Sequence, residues 1–178
     1  MGLISYSTNS LKLDILSQND SLIEWLTVEE NIQLNNYSAT VAKLIKSFKL
    51  NGFEKNYPKT LSAGMRKRVL LASSIVQNPD IVFLDEAFSG LDLNLKLELT
   101  KDIIENNYLP ETYVLVTHDI MESIMLANRI IILSERPSSI KAEIEIKKEF
   151  TNPYQFVNSE KYQQFYSLIF KELILNKK

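Results

Sequence analysis

Unbroken apolar runs mark two segments of the chain. Residues 81–86 (IVFLDE) and 113–119 (YVLVTHD) each place consecutive apolar side chains ahead of polar or charged ones. Strands inside a parallel sheet are apolar on both faces, so we expect both segments to be buried strands. Residues 11–17 and 129–135 predict two further strands, and the alternating segment 142–146 predicts an edge strand.

Helical spacing of apolar residues predicts helices between these strands. Over residues 38–50 the apolar residues share one helical face, and Asn51-Gly52 should end that helix. Thr27 and Glu30 have the spacing of a capping box, which predicts a short helix over residues 28–34. The same reasoning predicts further helices over residues 62–77, 93–107, 122–127 and 156–175.

The order of these elements indicates the fold class. Strands that alternate with helices predict an α/β fold with a mostly parallel sheet flanked by helices. The chain of 178 residues is long enough for one domain. Within it we expect a helical subdomain over residues 27–77, part of the α/β core over 78–148, and a C-terminal helical extension over 149–178.

The composition of the chain argues against several classes of protein. A net charge of −2 argues against a nucleic-acid binder, whose phosphate contacts need clustered Lys and Arg. The chain has no cysteine and a single histidine, His118, which excludes disulfides, thiolate metal sites and multi-histidine sites. No apolar run approaches the roughly 20 residues of a membrane span, and the first residues are unlike a secretory signal. We therefore expect a cytosolic protein.

Asp85 and Glu86 are the first candidates for chemistry. They close a buried strand, and the carboxyl ends of parallel strands are where α/β proteins bind ligands. One carboxylate can hold Mg²⁺ while the next orients a water molecule for attack on phosphate. The alternative is a strand end that simply turns into solvent.

Five further residues, in three places along the chain, are candidates for contacts to phosphate or to a metal-bound water. Ser62, Ala63 and Gly64 stand at a predicted helix start, which favours anions, although an ordinary Ser cap has the same pattern. His118 ends a predicted strand, and its imidazole can donate a hydrogen bond to a phosphate oxygen or serve a structural role. Gln18 ends another strand, where it can bind a metal-bound water or be a surface amide.

Read together, these positions resemble the family of ABC ATPases over roughly residues 11–140. Five motifs of that family stand in its order and spacing: the Q-loop, the signature, Walker B, the D-loop and the switch histidine. They correspond to Gln18, residues 57–69 (YPKTLSAGMRKRV), 78–86 (NPDIVFLDE), 89–92 (SGLD) and 116–123 (VTHDIMES). The stretch 25–31 (WLTVEEN) and Arg136-Pro137 are most similar to importers of the nitrate, sulfonate and taurine type.

The resemblance implies a role for each residue of the ATP site. Gln18 would contact Mg²⁺ or the attacking water, and Asp85 would support Mg²⁺. Glu86 would polarise the water as the catalytic glutamate, and His118 would sense the γ-phosphate. The implied ligands are thus ATP and Mg²⁺.

The resemblance also implies partners. Ser62, Ala63 and Gly64 would bind the γ-phosphate of ATP held by an opposite ATPase subunit, and Asp92 would lie at that dimer interface. The helical subdomain would dock on a transmembrane permease subunit, which places the protein in the cytoplasm, peripheral on the inner face of the membrane.

The sequence departs from the family at its phosphate-binding loop. A Walker A loop reads G-x-x-x-x-G-K-[ST], because its backbone N–H groups and Lys bind the phosphates. None of the four glycines here is followed by Lys. We therefore expect an incomplete P-loop NTPase fold, truncated before the Q-loop. It should be marginally stable alone, because strands 81–85 and 113–117 would lose a neighbour and expose apolar surface.

Four functions are compatible with these observations. The chain is part of an ATPase that drives solute import, with a P-loop supplied by another chain. Alternatively, it is a non-hydrolysing partner that presents its signature in trans, or an inactive remnant. The chromosome-maintenance and DNA-repair ATPases are the last alternative, disfavoured because residues 19–60 show no heptad coiled coil.

The absent loop leads to a first prediction. The isolated 178-residue chain should not bind ATP at micromolar concentrations, because it has no Walker A backbone or Lys to hold the phosphates. Isothermal titration calorimetry with Mg-ATP measures this affinity. Tight binding by the chain alone would contradict the interpretation.

Overall fold

The computed structural model describes residues 11–17, 22–34, 40–147 and 152–174. Its elements alternate as predicted, which confirms the α/β class. The strands are β1 Leu13–Leu16, β2 Ile81–Asp85, β3 Thr112–Val116, β4 Arg129–Leu133 and β5 Ile140–Glu145. The helices are α1 Val28–Gln33, α2 Thr40–Ser47, α3 Ala63–Val76, α4 Leu93–Asn106, α5 Ile120–Leu126, α6 Pro153–Val157 and α7 Glu160–Ile174.

The chain divides into two compact units, which are described separately. The first unit comprises Met1–Ala87 and Leu109–Val114, and the second comprises Phe88–Tyr108 and Leu115–Lys178. The sequence-based division at residues 77 and 148 stays a prediction.

A parallel strand pair organises the first unit. β1 pairs with β2 from Leu13 opposite Ile81 to Leu16 opposite Leu84, and the sheet order is β1-β2-β3. The backbone N–H of Lys12 donates to Asp80, whose own N–H donates back to the carbonyl of Lys12, both at 2.9 Å. This reciprocal pair fixes the register at the start of both strands.

One face of this sheet is covered and the other is open. Helix α3 packs against β1, and the Ser74 hydroxyl donates to the carboxylate of Asp14. Leu16 is buried, whereas Leu13 and Ile15 on the other face of β1 are more than half exposed. The apolar run of β2 is likewise only half-buried on one face, so the prediction that it is buried on both faces is wrong.

The prediction of a second buried strand over 113–119 is also wrong. β3 ends at Val116, and both Val114 and Val116 are exposed. The reason is its place in the sheet, since β3 is at an edge and no other strand among the described residues pairs with its outer side. Sequence alone cannot distinguish an apolar edge strand from an apolar central one. Of the two strands for which apolar exposure was expected, β3 therefore shows the larger exposure.

A buried asparagine holds the segment before α1. The capping box is confirmed, with Thr27 accepting from the N–H of Glu30 and Glu30 accepting from the N–H of Thr27. The Asn31 side chain accepts from the N–H of Ile23 at 2.8 Å and donates to the carbonyls of Ile23, Leu26 and Thr27 at 2.9–3.1 Å. Asn31 is only 2% exposed, so a buried side-chain amide binds four backbone groups of this segment.

Helix α2 ends earlier than its sequence predicts. It stops at Ser47, before the predicted end at Asn51-Gly52, and Lys49 takes a left-handed backbone (φ 53°), as Gly52 also does (φ 83°). The guanidinium of Arg68 donates to the carbonyls of Phe48 and Lys49 at 3.2 and 3.3 Å. These orphan carbonyls are thus satisfied by α3, a tertiary contact that local sequence does not reveal.

The second unit contains an antiparallel pair and the C-terminal helices. β4 pairs with β5 from Arg129 opposite Glu145 to Leu133 opposite Ile140. The predicted helix over 156–175 is instead two helices, because α6 ends at Val157 with Asn158 as its C-cap, and the Ser159 hydroxyl accepts from the N–H of Tyr162 at the start of α7. None of the described helices has the length and apolarity needed to cross a membrane.

Asn31 provides a test of how the first unit is held. Replacing it with Ala removes four hydrogen bonds and leaves buried backbone groups unpaired, which should lower the free energy of unfolding by about 2–4 kcal/mol. Urea unfolding followed by circular dichroism measures the change. Asn51→Ala, at an exposed turn, is the control and should stay within about 0.5 kcal/mol. Equal effects of both would contradict this role of Asn31.

Candidate functional site

The signature segment begins helix α3. Ser62 is the N-cap, and its hydroxyl accepts from the N–H of Met65 at 3.3 Å. Ala63 and Gly64 form the first helical turn, with Ser62 and Ala63 exposed. Because Ala63 has helical backbone, its methyl group costs nothing relative to Gly. The helix start therefore presents N–H groups and a hydroxyl at the surface, as an anion contact requires.

The carboxylates of Asp85 and Glu86 stand where β2 ends. Asp85 is exposed, and Glu86 has a left-handed backbone with φ 53°. A non-glycine residue in this region costs about 1–2 kcal/mol, and such strain is concentrated at functional sites. The next residue, Ala87, is fully buried, so the chain turns inward immediately after the two carboxylates. The strand end therefore does not run out into solvent.

In the second unit, Asp92 caps helix α4. Its carboxylate accepts from the N–H of Leu95 at 3.0 Å, after a turn in which Gly90 has φ 77°. The Asp92 side chain is exposed.

His118 is exposed and stands between two residues that make polar contacts. Asp119 is the N-cap of α5, and its carboxylate accepts from the N–H groups of Met121 at 2.8 Å and Glu122 at 3.3 Å. The N–H of Asp119 donates to the hydroxyl of Thr117 at 3.0 Å, and that hydroxyl donates to Glu122 at 2.6 Å. The backbone on both sides of His118 is thus fixed.

Lys96 connects α4 to this loop. Its ammonium lies 2.6 Å from Asp119 and 2.6 Å from Glu122, and the Lys96 and Glu122 side chains are only 13% and 4% exposed. One buried cation therefore joins two carboxylates from different turns of the chain. A buried ion pair of this kind is costly to break, since removing one partner leaves an uncompensated charge.

The pKa values follow from these contacts. Burial alone would lower the pKa of Lys96, but its hydrogen bonds to Asp119 and Glu122 raise it above the usual value. Burial alone would raise the pKa of Asp119, but Lys96 and the N–H groups at the start of α5 lower it. The pKa of Tyr162 on α7 is raised to about 12 by burial, by Tyr166 and by the charge of Asp119.

A cavity of about 550 Å³ opens beside these groups. It is lined by residues on both sides of Asp92, by the His118 loop and by one face of α7: Leu91, Leu93, Lys96, His118, Asp119, Ile120, Met121, Tyr166, Phe170, Leu173 and Ile174. The structure thus places the residues that flank Asp92 at the same cavity as His118.

The predicted site residues are placed in two groups. Ser62, Ala63 and Gly64, with Asp85 and Glu86, lie in the first unit, whereas Asp92 and His118 lie in the second. Gln18 falls outside the described residues. Among the described part of the chain, no cluster of three or more His, Cys, Asp or Glu side chains could hold a metal ion by itself.

Sequence reasoning missed Lys96, Asp119 and Glu122. The available signals were the position of Lys96, one helical turn after Asp92, and the Asp-x-x-Glu spacing of Asp119 and Glu122. Neither signal shows that the two segments meet, because Lys96 and Asp119 are 23 residues apart in the sequence.

Comparison with known proteins identifies the same family as the sequence motifs. The family model described as ABC transporter matches residues 5–89. Two relatives are named aliphatic sulfonates import ATP-binding protein SsuB, from Bacillus cereus strain ZK (36% identity, 87% of this chain, 63% of the relative) and strain ATCC 10987 (34%, 88% and 67%). The ABC transporter ATP-binding protein YtlC of Bacillus subtilis strain 168 is 36% identical, over 88% of this chain and 65% of YtlC. The chain thus spans 63–65% of the length of the first two curated relatives it matches.

Solved structures match the fold. A dimeric ATP-binding cassette in a post-hydrolysis state, bound to ADP and Pi, superposes with a TM-score of 0.63 at 26% identity, over 77% of this chain and 64% of that one. A bacterial ABC exporter with ATP bound gives a TM-score of 0.65 at 16% identity, over 94% of this chain and 29% of that one, which supports the fold alone.

The Lys96 ion pairs lead to a stability prediction. Lys96→Met should lower the free energy of unfolding by about 3–5 kcal/mol, because Glu122 would remain buried without a counter-charge. Lys101→Met, on the same helix but in an exposed pair with Glu105 at 3.7 Å, should cost less than about 0.5 kcal/mol. Urea unfolding of both variants measures the difference, and equal losses would contradict the prediction.

The same variant should change the acid side of the stability profile. The lowered pKa of Asp119 contributes stability that is present above its unfolded value near 3.8 and lost as pH falls through the lower folded value. Without Lys96 this contribution shrinks, so acid unfolding of Lys96→Met should begin at higher pH. Circular dichroism across pH 2–6 is the measurement, and an unchanged acid midpoint would count against the assigned cause.

Proposed function

The chain belongs to the family of ABC transporter ATP-binding proteins, and from this premise we propose that it is part of an ATPase subunit that couples ATP hydrolysis to solute import. The observation that carries the proposal is the end of β2. There Asp85 is exposed and Glu86 is held in a left-handed turn at the carboxyl end of a parallel strand. Two adjacent carboxylates at that edge fit a metal-supported attack of water on a phosphate.

Among the residues that the structure describes, Asp85 is the proposed ligand of Mg²⁺. Mg²⁺ prefers oxygen donors and is usually held by one or two carboxylates together with phosphate oxygens and water. Gln18 is the second proposed ligand from this chain. When bound, the metal would neutralise charge on the phosphates.

Each remaining site residue has a distinct proposed task. Glu86 accepts a proton from the attacking water, or orients it, through its carboxylate. His118 donates a hydrogen bond to the γ-phosphate. Ser62 and the first N–H groups of α3, at Ala63 and Gly64, contact the γ-phosphate of ATP bound by an opposite subunit. Asp92 lies at the interface with that subunit.

The phosphates themselves need a P-loop from outside these residues. The 178-residue sequence has no G-x-x-x-x-G-K-[ST] pattern. We propose that another polypeptide segment or a separate chain supplies the Walker A loop.

The proposed partners also include a transmembrane permease, on the inner face of the membrane. The surface that would meet it lies in the predicted helical subdomain and in the segment just before it. That segment carries Trp25, whose side chain is 79% exposed. An exposed Trp is typical of an interface anchor. The names of the two Bacillus cereus relatives favour aliphatic sulfonates as the transported substrates.

A second candidate function follows from the signature segment. A chain that presents Ser62 at a capped helix start can complete a partner's ATP site without hydrolysing ATP itself. In that case Glu86 would be dispensable, whereas Ser62 would not.

Two substitutions separate these functions. In a complex with a P-loop-bearing chain, Glu86→Gln should reduce ATP hydrolysis about 10²–10⁴-fold if this chain supplies the catalytic carboxylate, since it loses the proton acceptor but keeps the shape. Ser62→Arg should abolish hydrolysis under either function, because its side chain would fill the phosphate contact. Phosphate release measures both effects.

Glu111→Gln is the matched control, since Glu111 is an exposed carboxylate in the turn before β3. It should leave the rate unchanged. Full activity of Glu86→Gln combined with loss in Ser62→Arg would favour the non-hydrolysing partner. Full activity of both variants would contradict either function and indicate a remnant.

A further inference from the structure

Lys96 is attached to Asp92 through its backbone. The carbonyl of Asp92 accepts from the N–H of Lys96 at 3.0 Å, while the Asp92 carboxylate caps the same turn at the N–H of Leu95. A movement of Asp92 therefore moves the first turn of α4, on which Lys96 stands.

The side chain of Lys96 is attached to the His118 loop. Its ammonium bonds Asp119, the residue after His118, and Glu122, which in turn accepts from Thr117, the residue before His118. The network therefore holds His118 from both sides while leaving the imidazole exposed at the shared cavity.

We propose that Lys96 is a positioning residue that couples Asp92 to His118, so that displacement of the first turn of α4 reorients the imidazole. This inference rests on the proposed function, in which Asp92 meets the opposite subunit and His118 meets the γ-phosphate. Assembly at one end of the network would then set the phosphate contact at the other.

Burial shields the ion pairs of Lys96 from water and salt. Lys96 and Glu122 are largely shielded from water, and their charge-assisted bonds of 2.6 Å have directional geometry that salt screens weakly. Lys101 pairs with Glu105 at 3.7 Å on the exposed part of the same helix. Both partners of that pair stand on α4, so it offers a matched control for charge without coupling.

The single histidine allows a direct test by NMR. In the full chain labelled with ¹³C-histidine, every imidazole signal belongs to His118. Asp92→Ala should shift these signals when Lys96 is present, because the loosened turn pulls on Asp119. In the Lys96→Met background the same Asp92→Ala change should shift them several-fold less, and Lys96→Arg should restore most of the shift.

Two controls separate coupling from general loosening. In the Lys101→Met background, Asp92→Ala should shift the signals as much as in the parent chain. Asn31→Ala, which destabilises the other compact unit, should leave the His118 signals in place. If Lys96→Met does not fold, Lys96→Met with Glu122→Gln removes the stranded charge and serves as the uncoupled background.

Equal shifts from Asp92→Ala with and without Lys96 would overturn the proposal. The measurement needs no nucleotide, so its result is independent of hydrolysis. If the coupling is found but the assembled complex does not hydrolyse ATP, the proposed function fails and the network stands. An active complex without the coupling would support the proposed function and overturn the network.

Discussion

Parallel pairing of β1 with β2 is the constraint on which the first unit depends. Two parallel neighbours cannot be joined by a short turn, so the chain must return from the end of β1 to the start of β2. Helix α3 makes the last part of that return and is anchored to β1 through Ser74 and Asp14. The reciprocal bonds of Lys12 and Asp80 then set the register. As a result of this register, Asp85 stands at the carboxyl end of β2, at the edge of the strand pair.

In the second unit, polar contacts of the neighbouring residues fix the backbone around the exposed imidazole of His118. Because the His118 side chain is exposed, its position has to be fixed through its neighbours in the sequence. Thr117 and Asp119 provide this, because each is bound within the cluster around Lys96. The cost is a buried cation and carboxylate, which makes the unit sensitive to the loss of any one of these groups.

Local features of both units could be predicted from the sequence. Thr27 and Ser62 cap helices where their positions predict, because capping needs only the next three residues. The features that could not be predicted depend on partners far along the chain. Helix α2 ends earlier than predicted, and the carbonyls that follow it are bound by Arg68, 20 residues after Phe48. Likewise, Val114 and Val116 have the sequence of a buried strand, and only the sheet order shows that they lie at an edge.

In the proposed function, the groups that hold the phosphates differ from the groups that respond to them, and this difference explains where the proposed site residues lie. Gripping a triphosphate needs a ring of N–H groups and a Lys in one loop, and such a loop has a recognisable sequence. In the proposed function, responding to the phosphate needs only single groups at the ends of separate elements: Ser62 at a helix start, Asp85 and Glu86 at a strand end, and His118 before a helix. Each of these is positioned by its own element and its own neighbours. Under that proposal, these groups are in place in a chain whose sequence contains no P-loop pattern, and their chemistry would become available once another segment presents the phosphates.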